Sequence, residues 1–84
     1  MKKDPMDKVV TTRAEFLSFL HQFVGDLEEH PESWENADLG RFLHAMHAWI
    51  EDMDGFYQGQ NMPIPDKPDW EVLRHILCAA RVYE

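Results

Sequence analysis

The sequence predicts an all-α fold: a small single-domain bundle of three main helices, with a proline-rich linker before the last. Three observations lead there. Apolar residues recur at spacings of three and four in three separate stretches, the period of a helix that buries one face. Each stretch opens near a Thr, Asn or Asp able to cap it. No stretch shows the apolar–polar alternation of a half-buried strand.

Residues 1–10 lack periodicity and read as a loose arm whose end docks through Val9 and Val10. Residues 11–84 form the single helical domain. Thr12-Arg13-Ala14-Glu15 matches a capping box, in which the Thr hydroxyl and the Glu carboxylate each satisfy a free backbone N–H. The helix it opens, near 12–30, carries Phe16, Leu17, Leu20, Phe23, Val24 and Leu27 as its apolar stripe, with Phe19 widening it. Pro31 ends it, because proline disfavours helical geometry in the residue before it.

The connection PESWENA follows, with Trp34 packing down as a plug and Asn36 or Asp38 capping the next helix. That helix, near 38–57, has Leu39, Phe42, Leu43, Met46, Trp49, Ile50, Met53 and Tyr57 at helical spacing. Gly55 is expected to loosen or end its last turn. The linker QGQNMPIPDKP should be extended and anchored by Met62 and Ile64. Asp69 caps the third helix, near 69–83, with Trp70, Leu73, Ile76, Leu77, Ala80 and Tyr83 inward.

At 84 residues there is room for one core, and three Trp, five Phe and five Met supply bulk for it. The single Cys78 excludes an internal disulfide and any multi-cysteine zinc site. No run approaches the roughly 20 apolar residues of a membrane span. Asp4, Pro5 and Asp7 stand where the apolar part of a signal peptide would begin. The expectation is a cytoplasmic protein that engages no membrane.

The net charge of −8 is unevenly placed: Asp26 to Asp54 holds nine acids and one base, Arg41. An acidic surface disfavours nucleic acid, whose phosphates need clustered Lys and Arg. It favours fast association with a basic partner.

Candidate chemistry is sparse. His44, His47 and Glu51 lie at i, i+3 and i+7, within about 60° on the outer face of the second helix. They are the fallback ligand set for a divalent metal. However, the HExxH spacing is missing and the face points away from the core, so neither metal nor cofactor is expected. His21, His30 and His75 read as structural. Cys78, with Arg74 and Arg81 a turn away, lacks a traceable oxyanion site and reads as a bystander thiol. The four glycines are scattered, so no phosphate loop is present. Met46, Trp49 and Met53 read as core.

The remaining candidate is the acidic, aromatic-edged end of the second helix: Glu51, Asp52, Asp54, Phe56 and Tyr57. Exposed Trp and Tyr are favoured at binding hot spots. The three acids diverge around the helix and lack the shielded cleft that acid–base catalysis needs.

The strings WENADLGRFLHAMHAWIEDMDGFY and PDWEVLRHILCAARVYE together resemble a family of short bacterial proteins classed only as a domain of unknown function. The resemblance rests on Trp34, Glu35, Asn36, Trp49, Glu51, Asp52, Met53, Asp54, Gly55, Tyr57, Trp70, Leu73, Ala79, Ala80, Tyr83 and Glu84. It covers nearly everything after the N-terminal arm. It implies a self-contained bacterial domain with no assigned activity, near toxin–immunity or similar conflict systems.

The leading expectation is therefore a small acidic, non-enzymatic protein-binding domain, immunity-like, that takes a basic protein partner. The expected oligomeric state is a monomer or a weak homo-oligomer, and one alternative is a structural accessory domain that self-associates through leftover apolar surface such as Phe19 and Val82. A metal- or ligand-binding enzyme is the second alternative.

Overall fold

The computed structural model describes residues 8–83; most of the N-terminal arm and Glu84 lie outside that range. The first helix, α1, spans Arg13–Glu29. Its Thr12 hydroxyl accepts the Glu15 amide at 3.1 Å. The Glu15 carboxylate reaches one residue further back than a standard capping box, accepting the Thr11 amide at 2.8 Å and the Thr11 hydroxyl at 3.0 Å. These Thr11 bonds, the backbone one foremost, hold the Glu15 carboxyl below its ordinary range. Of the arm's two valines, Val10 docks and Val9 stays exposed.

A 3-10 turn at Pro31–Ser33 leads to Trp34, which is buried as expected of a plug. Its indole Nε1 donates to Asp26 Oδ2 at 2.7 Å, and the Arg81 guanidinium lies 5.9 Å over its ring. Asp38 caps α2 (Leu39–Gly59), accepting the Arg41 amide at 2.9 Å.

Asn36, considered as a cap for that helix, does something else. Its Nδ2 donates to the carbonyls of Ala80 at 3.0 Å and Tyr83 at 2.8 Å, and its backbone N–H donates to Arg81 O at 3.1 Å. It ties down the carbonyls that a helix end leaves without intrahelical partners.

Helix α2 runs through Gly55 rather than ending there. Its true stop is Asn61, in the left-handed region at φ 56°. Met62 N–H bonds to Tyr57 O at 2.9 Å and Asn61 N–H to Gln58 O at 3.1 Å, the paired bonds of a Schellman motif. The expected anchors of the linker are corrected as well. Met62 and Ile64 are exposed, and Pro65 is the linker's half-buried residue.

Helix α3 (Trp70–Ala80) is the central element. It packs against both other helices, and none of its residues is exposed. Cys78 is half-buried and packs against the core beneath α1. By contrast, no Cα of α1 lies within 8 Å of one in α2. The core accordingly has two parts. Phe16, Phe19, Phe23 and Trp34 gather beneath α1, and Trp49, Tyr57, Val72 and Ile76 lie between α2 and α3.

This arrangement corrects the predicted stripes. Phe19, offered as leftover surface for self-association, is core; Val82 is exposed. Leu17 and Val24 of α1, and Leu39, Leu43 and Ile50 of α2, face outward. Among the described residues there is no strand, and no helix is long and apolar enough to cross a membrane.

Candidate functional site

Of the candidate residues at the acidic end of α2, Glu51, Asp52, Asp54 and Phe56 are exposed and Tyr57 is buried. Glu51 is exposed and pairs with His47 at 3.0 Å. Asp52 accepts a hydrogen bond from the Tyr83 hydroxyl, which holds that phenol above its ordinary pKa. Asp54 is exposed. Phe56 is 39% exposed, with its ring against Trp49 and His75.

Tyr57, expected on the surface, is 2% exposed and belongs to the core. It lies a full number of turns from Leu39 and Ile50, so helical phase alone could not separate it from them. Burial against α3 does. His44 is exposed, and among the described residues no three His, Cys, Asp or Glu side chains come together to hold a metal.

A second constellation was not anticipated. Arg74, at 8% exposure, forks onto Glu71 through Nε at 2.7 Å and Nη2 at 2.8 Å. Glu71 also accepts the Val10 amide at 3.0 Å and lies 3.2 Å from His75 Nε2. His75 Nδ1 is 2.9 Å from the Tyr57 hydroxyl. One neutral tautomer satisfies both ring nitrogens: Nδ1 accepts from Tyr57 and Nε2–H donates to Glu71.

The charges follow from this geometry. Burial alone would raise the Glu71 carboxyl, but the Arg74 bonds, the Val10 amide and the neighbouring cations hold it below its ordinary value. Burial lowers His75 against the pull of Glu71. Burial also raises Tyr57, with Asp69 and Glu71 adding to it. A tyrosine–histidine–glutamate chain suggests proton relay, but its hydroxyl is sealed in the core. The arrangement staples the N-terminal arm and α2 to α3.

The third feature is a groove of about 390 Å³ between the end of α1 and the start of α2. Phe23, Trp34 and Phe42 form its aromatic floor, with ring centroids 4.7 Å apart for Phe23–Trp34 and 6.0 Å for Trp34–Phe42. Val24 and Leu27 line it from α1, and Leu39 lines it from α2. Val24 is 48% exposed and Leu39 73%.

The groove exists because α3, rather than α2, packs against α1. Side chains that the periodicity assigned to a core are left as its lips. Asp38 lines the groove, and the chain segments that bear its lining residues hold further exposed acids, Glu28 and Glu29 at the end of α1 and Glu32 and Glu35 in the connection. Glu28 and Glu29 add negative charge at the negative pole of α1, whose last turn holds no base. Neither has an ion-pair partner among the described residues. The signal in the sequence was the excess of apolar residues in both stripes over what one helix face can bury.

A family model described as a family of unknown function (DUF7660) matches residues 12–84. No curated protein and no solved structure matches the chain.

Proposed function

The chain belongs to the DUF7660 family of unknown function, and on that premise we propose that it is a non-enzymatic protein-binding domain for a basic partner. The observation that carries this reading is the open apolar groove between α1 and α2, set in the most acidic part of the chain. Contiguous exposed apolar surface with a polar rim marks interaction sites in soluble domains. Rim charge raises the association rate, and apolar burial at the centre supplies affinity. Glu51, Asp52 and Asp54 contribute to the steering field, while Val24, Leu39 and Phe42 provide the anchor. The partner-binding aromatic role expected of Tyr57 passes to the groove floor. Occupancy alone then suffices for an immunity-like role, in which a bound partner is masked rather than modified.

Capture from native lysate with untagged bait, compared across variants, tests this. Wild type should retain a partner that elutes with rising salt. Val24→Glu with Leu39→Glu should lose it, and Asp52→Lys with Asp54→Lys should slow its association. Equal retention by the groove variant sinks the reading.

A further inference from the structure

We infer that the occupant of the groove is a single amphipathic helix with Lys or Arg along its flanks. The inference rests on the protein-binding reading and names the partner's form. Four features support it.

The first is shape. Two helices that share α3 but stand apart from each other leave a trough, and ridges of side chains on a third helix fill such a trough. Leu17 lies two turns before Val24 on the same line of α1, and Leu43 lies one turn after Leu39 on α2. Both are exposed. They extend the apolar lips by about 10 Å on α1 and about 6 Å on α2, from the rise of 1.5 Å per residue. A helix presenting residues i, i+4 and i+7 spans that length.

The second is chemistry. The polar lining comes from Asn36 and Asp38. The Asn36 amide is already committed to the Ala80 and Tyr83 carbonyls, and Asp38 caps α2. Few polar groups are left to orient a small polar ligand, so apolar side chains are the better fit.

The third is charge. Of the six acids in residues 26–38, Asp26 is paired with Arg81 and Asp38 with Arg41, while Glu28, Glu29, Glu32 and Glu35 are exposed with no Lys or Arg partner among the described residues. Two copies meeting groove to groove would bring those acids together, which opposes a homodimer. A basic flank neutralises them and meets the negative pole of α1.

The fourth is the backbone. The groove lies between two helices and offers no sheet edge to which an extended peptide could add a strand.

The test uses the full chain and a synthetic amphipathic peptide of about 18 residues, long enough to form helix on docking. It carries Leu at i, i+4 and i+7 with Lys on both flanks. Binding is read by Trp fluorescence, peptide helicity and salt dependence. Helix should form on binding, and the affinity should fall as salt rises. Val24→Glu with Leu39→Glu should weaken it at least about tenfold, although the added acids attract Lys. Met62→Glu with Ile64→Glu adds the same charge on the exposed linker and should change it by less than about twofold.

Equal binding of a scrambled peptide of identical composition overturns the inference, as does equal weakening by the linker variant. Concentration-dependent dimerisation that the groove variant abolishes overturns it too, by showing a second copy in place. If the groove variant loses a captured partner while that partner docks through a non-helical segment, the helix falls and the protein-binding reading stands.

Discussion

The Tyr57 hydroxyl and His75 Nδ1 stand 2.9 Å apart between α2 and α3, joining the end of the longest helix to the middle of the central one. Through His75 the contact continues to Glu71, Arg74 and the Val10 amide. One chain of polar contacts thus connects the N-terminal arm, α2 and α3. It makes the fold sensitive to acid.

The folded protein holds His75 below its ordinary value of 6.5, so the unfolded chain binds the proton first as pH falls. The stabilisation is complete above 6.5 and declines as pH drops below it. Glu71 acts in the same direction at lower pH. Its contribution is complete above its ordinary 4.5 and is lost as pH falls through its lower folded value. Thermal unfolding from pH 7.5 to about 5 should show a falling Tm that is flatter in His75→Gln. An unchanged slope in the variant would place the acid sensitivity elsewhere.

Glu71→Gln removes the forked carboxylate from the buried Arg74 guanidinium and should cost about 3 kcal/mol in urea unfolding, the low end for breaking a buried pair. The double change Glu71→Leu with Arg74→Met removes both charges and should recover most of that loss. If the double variant is as unstable as the single, packing rather than charge dominates the site.

Asn36→Ala removes the two side-chain bonds to the Ala80 and Tyr83 carbonyls. It should cost about 2 kcal/mol, at about 1 kcal/mol per bond. Hydrogen exchange should accelerate in the last turn of α3 while the centre of α2 stays protected. Asn36→Asp should be worse, since a carboxylate cannot donate to a carbonyl. Uniform acceleration throughout the molecule would contradict this local role.

Asn61 ends α2 from the left-handed region. Asn61→Ala should destabilise by about 1 kcal/mol, because it keeps the Cβ that crowds the following carbonyl and loses the short polar side chain that eases the left-handed region, whereas Asn61→Gly removes that Cβ and should be neutral or stabilising. Chemical denaturation of the pair distinguishes this from a tertiary contact of the Asn61 side chain, under which both substitutions would cost alike.

The positions that carry the family resemblance acquire physical reasons in the structure. Trp34 closes the core against Asp26, Asn36 holds the end of α3, and Asp52 takes the Tyr83 hydroxyl. Trp49, Tyr57 and Ala80 are buried. Much of the pattern is therefore the framework of the fold. The groove lips Val24 and Leu39 fall outside it, so the resemblance did not reveal the candidate site.

By itself, the sequence determined the three helices, the capping roles of Thr12 and Asp69, and Trp34 as a plug, while it offered both Asn36 and Asp38 as the cap of α2. Each follows from chemistry local to a few residues: a hydroxyl or carboxylate near free amides, a proline that stops a helix, or a ring too large to leave in water. Only the tertiary structure decided which side of each apolar stripe meets a neighbour. Because α3 takes the centre, Tyr57 goes inward while Leu39, at the same helical phase, goes out. For the same reason Glu71, Arg74 and His75, which at i, i+3 and i+4 resemble an ordinary solvated face, become an inward network with Arg74 buried and Glu71 and His75 half-buried. Periodicity specifies a direction around a helix axis, but burial depends on what stands in that direction, and that is set by contacts between residues far apart in the chain.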